Sequence, residues 1–130
     1  MKPITAILAV VGIAAAVIIL FLGRHDRTPA APPSAGNVSI VDGTQIVTLQ
    51  VKGGYRPILS QVKSGIPTVL RFETDATYDC SSSIRIPNLG ISRNLPPSGA
   101  TDVALGTLAP GTLQGTCGMG MYRFSLEAKS

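Results

Sequence analysis

The hydrophobic pattern of the chain changes character twice. From Ile4 to Leu22 it is unbroken, a nineteen-residue run without a charge. As a helix this run is about 28 Å long, close to the hydrocarbon thickness of a bilayer, and it predicts a single membrane span. Gly23-Arg24-His25-Asp26-Arg27 follows directly, with no small-x-small cleavage site beside it. A retained anchor is therefore expected rather than a cleaved signal peptide. Weighed by the positive-inside rule, Lys2 and the terminal amine against Arg24, Arg27 and a protonated His25 lean toward a cytoplasmic C-terminal domain by one charge or less; an extracytoplasmic domain is the alternative.

From Thr28 to Gly36 the chain reads Thr-Pro-Ala-Ala-Pro-Pro-Ser-Ala-Gly, a proline-rich tether that resists helix and sheet. The expected organisation is thus an anchor with its basic flank over residues 1–27, a linker over 28–36 and a domain over 37–130. Within the domain the apolar period falls to two. Val47, Leu49 and Val51 alternate with Thr48 and Gln50, and Gly53-Gly54 breaks the run. Ile58 to Val62 is a second strand, and Lys63-Ser64-Gly65 reads as a turn. Thr68 to Thr74 follows, with Leu70 and Phe72 facing a core and Arg71 and Glu73 facing water. Ser83 to Ile86, Val103 with Leu105, and Tyr122 to Ala128 complete the pattern. Short β-branched runs broken by Gly, Pro and Asn, with no competing helical stripe, predict an all-β domain; roughly seven strands fit a β-sandwich.

Charge changes the picture little. Residues 37–130 hold eight of the eleven Lys/Arg and six of the seven Asp/Glu, a net of +2 that is too small and scattered for a nucleic-acid footprint. Composition matters more. Cys117-Gly118-Met119-Gly120-Met121 gathers one of the two cysteines and both non-initiator methionines into five positions. Thiolate and thioether sulfurs are polarizable donors that select a soft ion, Cu(I) above all, with Ag(I) not distinguished. In an extended chain, positions i, i+2 and i+4 face one way, which predicts three sulfurs on one side. Gly118 and Gly120 leave the opposite side without bulk and let the backbone bend. The alternative is a Gly-rich turn whose methionines fill a core gap.

Gly53-Gly54-Tyr55-Arg56-Pro57, Gly65-Ile66-Pro67, a cysteine after a strand, and Cys-x-Met-x-Met leading into the last strand together resemble a cupredoxin domain. More narrowly, the chain resembles the membrane-anchored Cu(I) chaperones of bacteria and the related metal-binding domains of copper-exporting P-type ATPases, over about Gln45 to Ala128 and the N-terminal anchor. That resemblance implies a cupredoxin-like Greek-key β-sandwich behind one transmembrane helix. It also implies one or two Cu(I) ions per domain, Cys80 and Cys117 forming the tighter thiolate site and Met119 and Met121 completing a weaker one beside it. A copper-exporting P-type ATPase or its metal-binding domain is the implied partner, and the cell membrane the implied location.

Other chemistries are disfavoured by what the domain lacks. A blue-copper centre needs two imidazoles, and the only histidine, His25, lies beside the apolar run. A structural zinc site usually takes four Cys or His ligands. Ser81-Ser82-Ser83 has no domain histidine to activate a nucleophile, so no enzyme activity is expected. Two rivals remain: an electron-transfer or oxidase-assembly cupredoxin, and a metal-free interaction sandwich in which a Cys80–Cys117 disulfide pins the two sheets. Closing that loop is worth roughly 3 to 4 kcal/mol in the chain-entropy picture. Asp79 reads as a solvated loop carboxylate rather than a ligand.

Overall fold

The computed structural model describes residues 11–16, 18 and 35–130. The chain divides into two units, Met1–Ala31 and Pro32–Ser130. In the first, residues 11–16 and 18 are helical. Among the described residues no helix is long and apolar enough to cross a membrane. The span expected over Ile4 to Leu22 lies largely outside those residues.

The second unit is a β-sandwich. A short 3-10 turn, Ala35–Asn37, leads into ten strands: β1 (Val38–Val41), β2 (Thr44–Val51), β3 (Tyr55–Arg56), β4 (Leu59–Lys63), β5 (Pro67–Thr74), β6 (Ser83–Ile86), β7 (Ile91–Asn94), β8 (Gly99–Thr107), β9 (Gly111–Cys117) and β10 (Arg123–Lys129). One sheet runs β1-β2-β5-β8, with β3 added to the end of β2. The other runs β4-β10-β9-β6-β7. Two pairings are parallel, β2 with β5 and β4 with β10, and the remainder are antiparallel.

Alternation positions the core. Val47, Leu49 and Val51 of β2 and Leu70 and Phe72 of β5 turn inward from one sheet; Ile84 and Ile86 of β6 and Phe124 and Leu126 of β10 answer them from the other. Tyr55, Phe72 and Phe124 form an edge-to-face cluster, with ring centroids 4.9 Å apart for Tyr55–Phe124, 5.7 Å for Phe72–Phe124 and 6.3 Å for Tyr55–Phe72. This geometry suits the aromatic quadrupoles and adds rigidity beyond burial. The count of ten strands exceeds the roughly seven read from sequence: β1 is a short, mostly exposed edge strand, β3 has two residues, and β7 and β9 carry few apolar residues.

Candidate metal centre

Cys117 is the last residue of β9, and β9 and β10 are joined by a hairpin loop over residues 118–122. The Cys117 N–H donates to the Tyr122 carbonyl at 3.0 Å, and the Gly120 N–H donates back to the Cys117 carbonyl at 2.9 Å. The Cys-x-Met-x-Met segment is therefore a closed turn, not the extended stretch that the i, i+2, i+4 argument assumed. Its two glycines serve different ends. Gly120 takes φ +72, in the left-handed region that disfavours side chains. Gly118 lies so near β6 that a Cβ would stand 2.9 Å from Ser83 Oγ, and its N–H donates to the Ser83 carbonyl at 2.8 Å.

Cys80 opens a 3-10 turn, Cys80–Ser82, that runs into β6. Since Ile84 pairs with Cys117 across β6 and β9, the turn brings the two cysteines together, with Cα atoms 5.8 Å apart and the sulfurs joined as a disulfide. The bond thus ties the turn that enters β6 to the end of neighbouring β9 in the same sheet; it does not pin sheet to sheet. Cys117 is buried and Cys80 half-buried against the core, whereas Met119 and Met121 are 79% and 64% exposed on the loop above. Neither methionine fills a core gap.

The segment carrying Cys80 is fastened on two sides. Thr77 Oγ1 donates to the Val51 carbonyl at 2.5 Å, and the Thr77 N–H donates to the Pro97 carbonyl at 2.9 Å. The Asp79 carboxylate accepts from the Gly53 N–H at 2.9 Å with one oxygen, and from the Ser81 N–H at 2.8 Å and the Ser81 hydroxyl with the other. Tyr55 Oη donates to the Ser81 carbonyl at 3.0 Å, and the Leu95 N–H donates to the Ser82 carbonyl at 2.7 Å. Burial first, and the Asp79 charge second, push the Tyr55 phenol above its ordinary range, which keeps it a neutral donor. The Ser81 hydroxyl, then the Gly53 and Ser81 amides, hold Asp79 below the usual carboxylate range.

Asp79 is thus a capping residue for the cysteine turn, a role sequence reasoning missed. The Asp-x-Ser spacing was the available signal. Because its pKa is depressed, the stabilisation is present above the ordinary carboxylate range and is lost as pH falls through the folded value. Asp79→Ala is expected to cost about 1 kcal/mol at neutral pH, the usual worth of an N-cap. Urea denaturation of both proteins checks this, and the gap between them should close in acid.

Among the described residues no group of three or more His, Cys, Asp or Glu side chains comes together. What the fold presents is a cysteine pair at the start of a loop that carries two exposed thioethers, on a β-sandwich of two five-stranded sheets. The chain belongs to the cupredoxin-like domain family, whose model matches residues 12–126. No curated protein matches it. Among solved structures, the metal-binding domain of the Cu(I)-exporting P-type ATPase CopA of Streptococcus pneumoniae D39, determined with Cu(I), is similar at 24% identity and TM-score 0.66, covering 72% of this chain and 93% of that chain. A copper binding protein determined by NMR in the apo form is similar at 24% identity and TM-score 0.67, covering 75% of this chain and 100% of that one. Auracyanin B is more distant, at 12% identity and TM-score 0.50, covering 78% and 100%. At these identities the likeness is one of fold.

Proposed function

We propose that this protein is a membrane-tethered Cu(I) carrier. Reduced Cys80 and Cys117 hold the ion tightly, Met119 and Met121 offer a weaker exposed site beside it, and a copper-exporting P-type ATPase or its metal-binding domain receives the ion. The observation that carries the reading is the convergence of the two cysteines, one of them at the start of a loop whose exposed side chains are thioethers. Exposed methionines contribute little to stability, and a soft cation gives them a role. The two copper-binding domains of like fold support the same assignment.

Uptake begins from the dithiol. A thiol donor supplies two electrons and two protons to the Cys80–Cys117 bond and is itself oxidised to a disulfide. Binding of Cu(I) then displaces thiol protons, since the thiolate is the ligand. The bonds on Thr77, Asp79, Ser81 and Ser82 hold the Cys80 turn in place, so the thiolates need little rearrangement to share an ion. Release is ligand exchange: an entering thiolate adds to the under-coordinated ion before a leaving one departs. No bond of a substrate is cleaved. Confinement to the bilayer plane raises the encounter rate with a membrane-embedded acceptor through effective concentration.

Anaerobic Cu(I) titration of the reduced protein against a competing chelator tests this. A tight first step followed by a weaker second is expected. Met119→Ala/Met121→Ala should remove the second step and leave the first intact. Loss of the first step in that variant, or no uptake by the wild type, contradicts the assignment. The disulfide-locked, metal-free sandwich has the bonded cysteine pair in its favour, and it predicts no sulfur-bound copper after reduction. A type-1 electron-transfer centre lacks its imidazoles, since no histidine occurs in residues 35–130.

A further inference from the structure

The methionine loop stands in a field of unpaired positive charge. Arg56 and Arg123 both line an open pocket of about 550 Å³ that also takes in Ile58 and Met121. On the other flank, the Arg85 Nε atom comes within 3.9 Å of the Cβ position of Gly118. All three arginines are exposed. Among the described residues the ion pairs are Arg71–Asp102 and Lys129–Glu127, and none of these three takes part. The carboxylate at this end, Asp79, is already engaged by Gly53 and Ser81, and Glu73 accepts from Gln50. The same pocket presents apolar side chains to solvent, with Ile58 67% and Met121 64% exposed.

Exposed apolar side chains beside guanidinium groups that take part in no ion pair among the described residues are built like an interface. We propose that this face docks an acidic segment of the protein that receives the metal, with Arg56 and Arg123 pairing its carboxylates and Ile58 and Met121 meeting its apolar residues. This rests on the carrier reading for its purpose, though not for its charge pattern. A protein fits better than a lipid surface because transfer requires a donor sulfur to reach Met121 in the same encounter.

Charge complementarity of this kind acts mainly on association rate and is screened by salt. The test uses the full-length Cu(I)-loaded protein and two synthetic Cys-x-x-Cys peptides, one flanked by glutamates and one by lysines. The acid-flanked peptide should accept Cu(I) on the order of tenfold faster at low ionic strength, with the difference shrinking as salt is added. Arg56→Glu/Arg123→Glu should reverse the preference, and Arg56→Gln/Arg123→Gln should erase it, with Cu(I) affinity moving far less than the transfer rate. Equal rates for the two peptides overturn the proposal.

A second arm omits copper: a glutamate-flanked peptide with serines for cysteines is titrated into the metal-free protein. Amide shifts at residues 53–58 and 120–123 are expected, and their absence overturns the docking face. If the protein takes up no Cu(I) while those shifts appear, the carrier reading fails and the docking face stands. Phosphatidylserine vesicles shifting the same amides while the peptide leaves them unmoved make the cluster a headgroup contact, which also overturns the proposal.

Discussion

Replacing Cys80 or Cys117 by serine is expected to abolish tight Cu(I) binding and, in the oxidised protein, to remove roughly 3 to 4 kcal/mol of stability. The two losses have different origins. A serine hydroxyl is a hard, protonated donor, so a single thiolate remains and the soft pair is gone. The stability loss comes from reopening the 37-position loop that the bond closes in the unfolded chain. The positions should differ. Cys117 is 1% exposed, so serine there also buries a hydroxyl among apolar neighbours, a further penalty of about 1 to 3 kcal/mol if it finds no acceptor. Cys80 is half-buried and escapes most of that. Urea denaturation with and without reductant separates the terms: under reduction Cys80→Ser should approach the wild type, and Cys117→Ser should stay below it.

Gly115→Ala is the substitution expected to damage the fold most from a single added methyl. A Cβ at Gly115 would lie 2.0 Å from Phe124 Cζ, and 2.4 and 2.6 Å from the two Cε atoms. Gly115 and Phe124 face each other across β9 and β10, and the ring is fully buried. It cannot retreat, because Tyr55 and Phe72 stand edge-to-face against it. The cost should reach about 3 kcal/mol, the upper part of the overpacking range. The strain should also reach the proposed copper site, since Tyr55 holds the Ser81 carbonyl beside Cys80. A lower urea midpoint and weakened Cu(I) affinity are the expected readouts. Gly36→Ala, with no atom within 4 Å of its Cβ position, should stay within about 0.5 kcal/mol of the wild type. Wild-type stability in Gly115→Ala would show that the Phe124 ring does not pack where described.

The same glycine explains why part of the fold was hidden in the sequence. β2, β5, β6 and β10 were legible because apolar residues occupy most inward positions, the exceptions being Gln45 in β2 and Thr68 and Thr74 at the two ends of β5. In β9, Thr-Leu-Gln-Gly-Thr-Cys places Gly115 at a buried position, and the volume is filled by the ring of Phe124 from the next strand. A pattern search sees no strand there. β1 and β7 lie at sheet edges and expose most of their side chains, while β3 is two residues long and exists through its pairing with β2. The candidate sulfur residues could be named from the sequence, since softness is a property of residue type. Their geometry could not be read there. The loop is closed by a hydrogen bond from Cys117 to Tyr122, and the Cys80 turn is held by Val51, Gly53 and Tyr55, each 26 residues away in sequence from its partner.

The central claim is that the donors around the ion are sulfur alone. X-ray absorption at the copper edge of the reduced, loaded protein tests it most directly. A monovalent edge with a first coordination sphere of two or three sulfur scatterers is predicted, falling to one sulfur or none in Cys80→Ser. A divalent edge, or a first sphere of nitrogen and oxygen, would contradict the account.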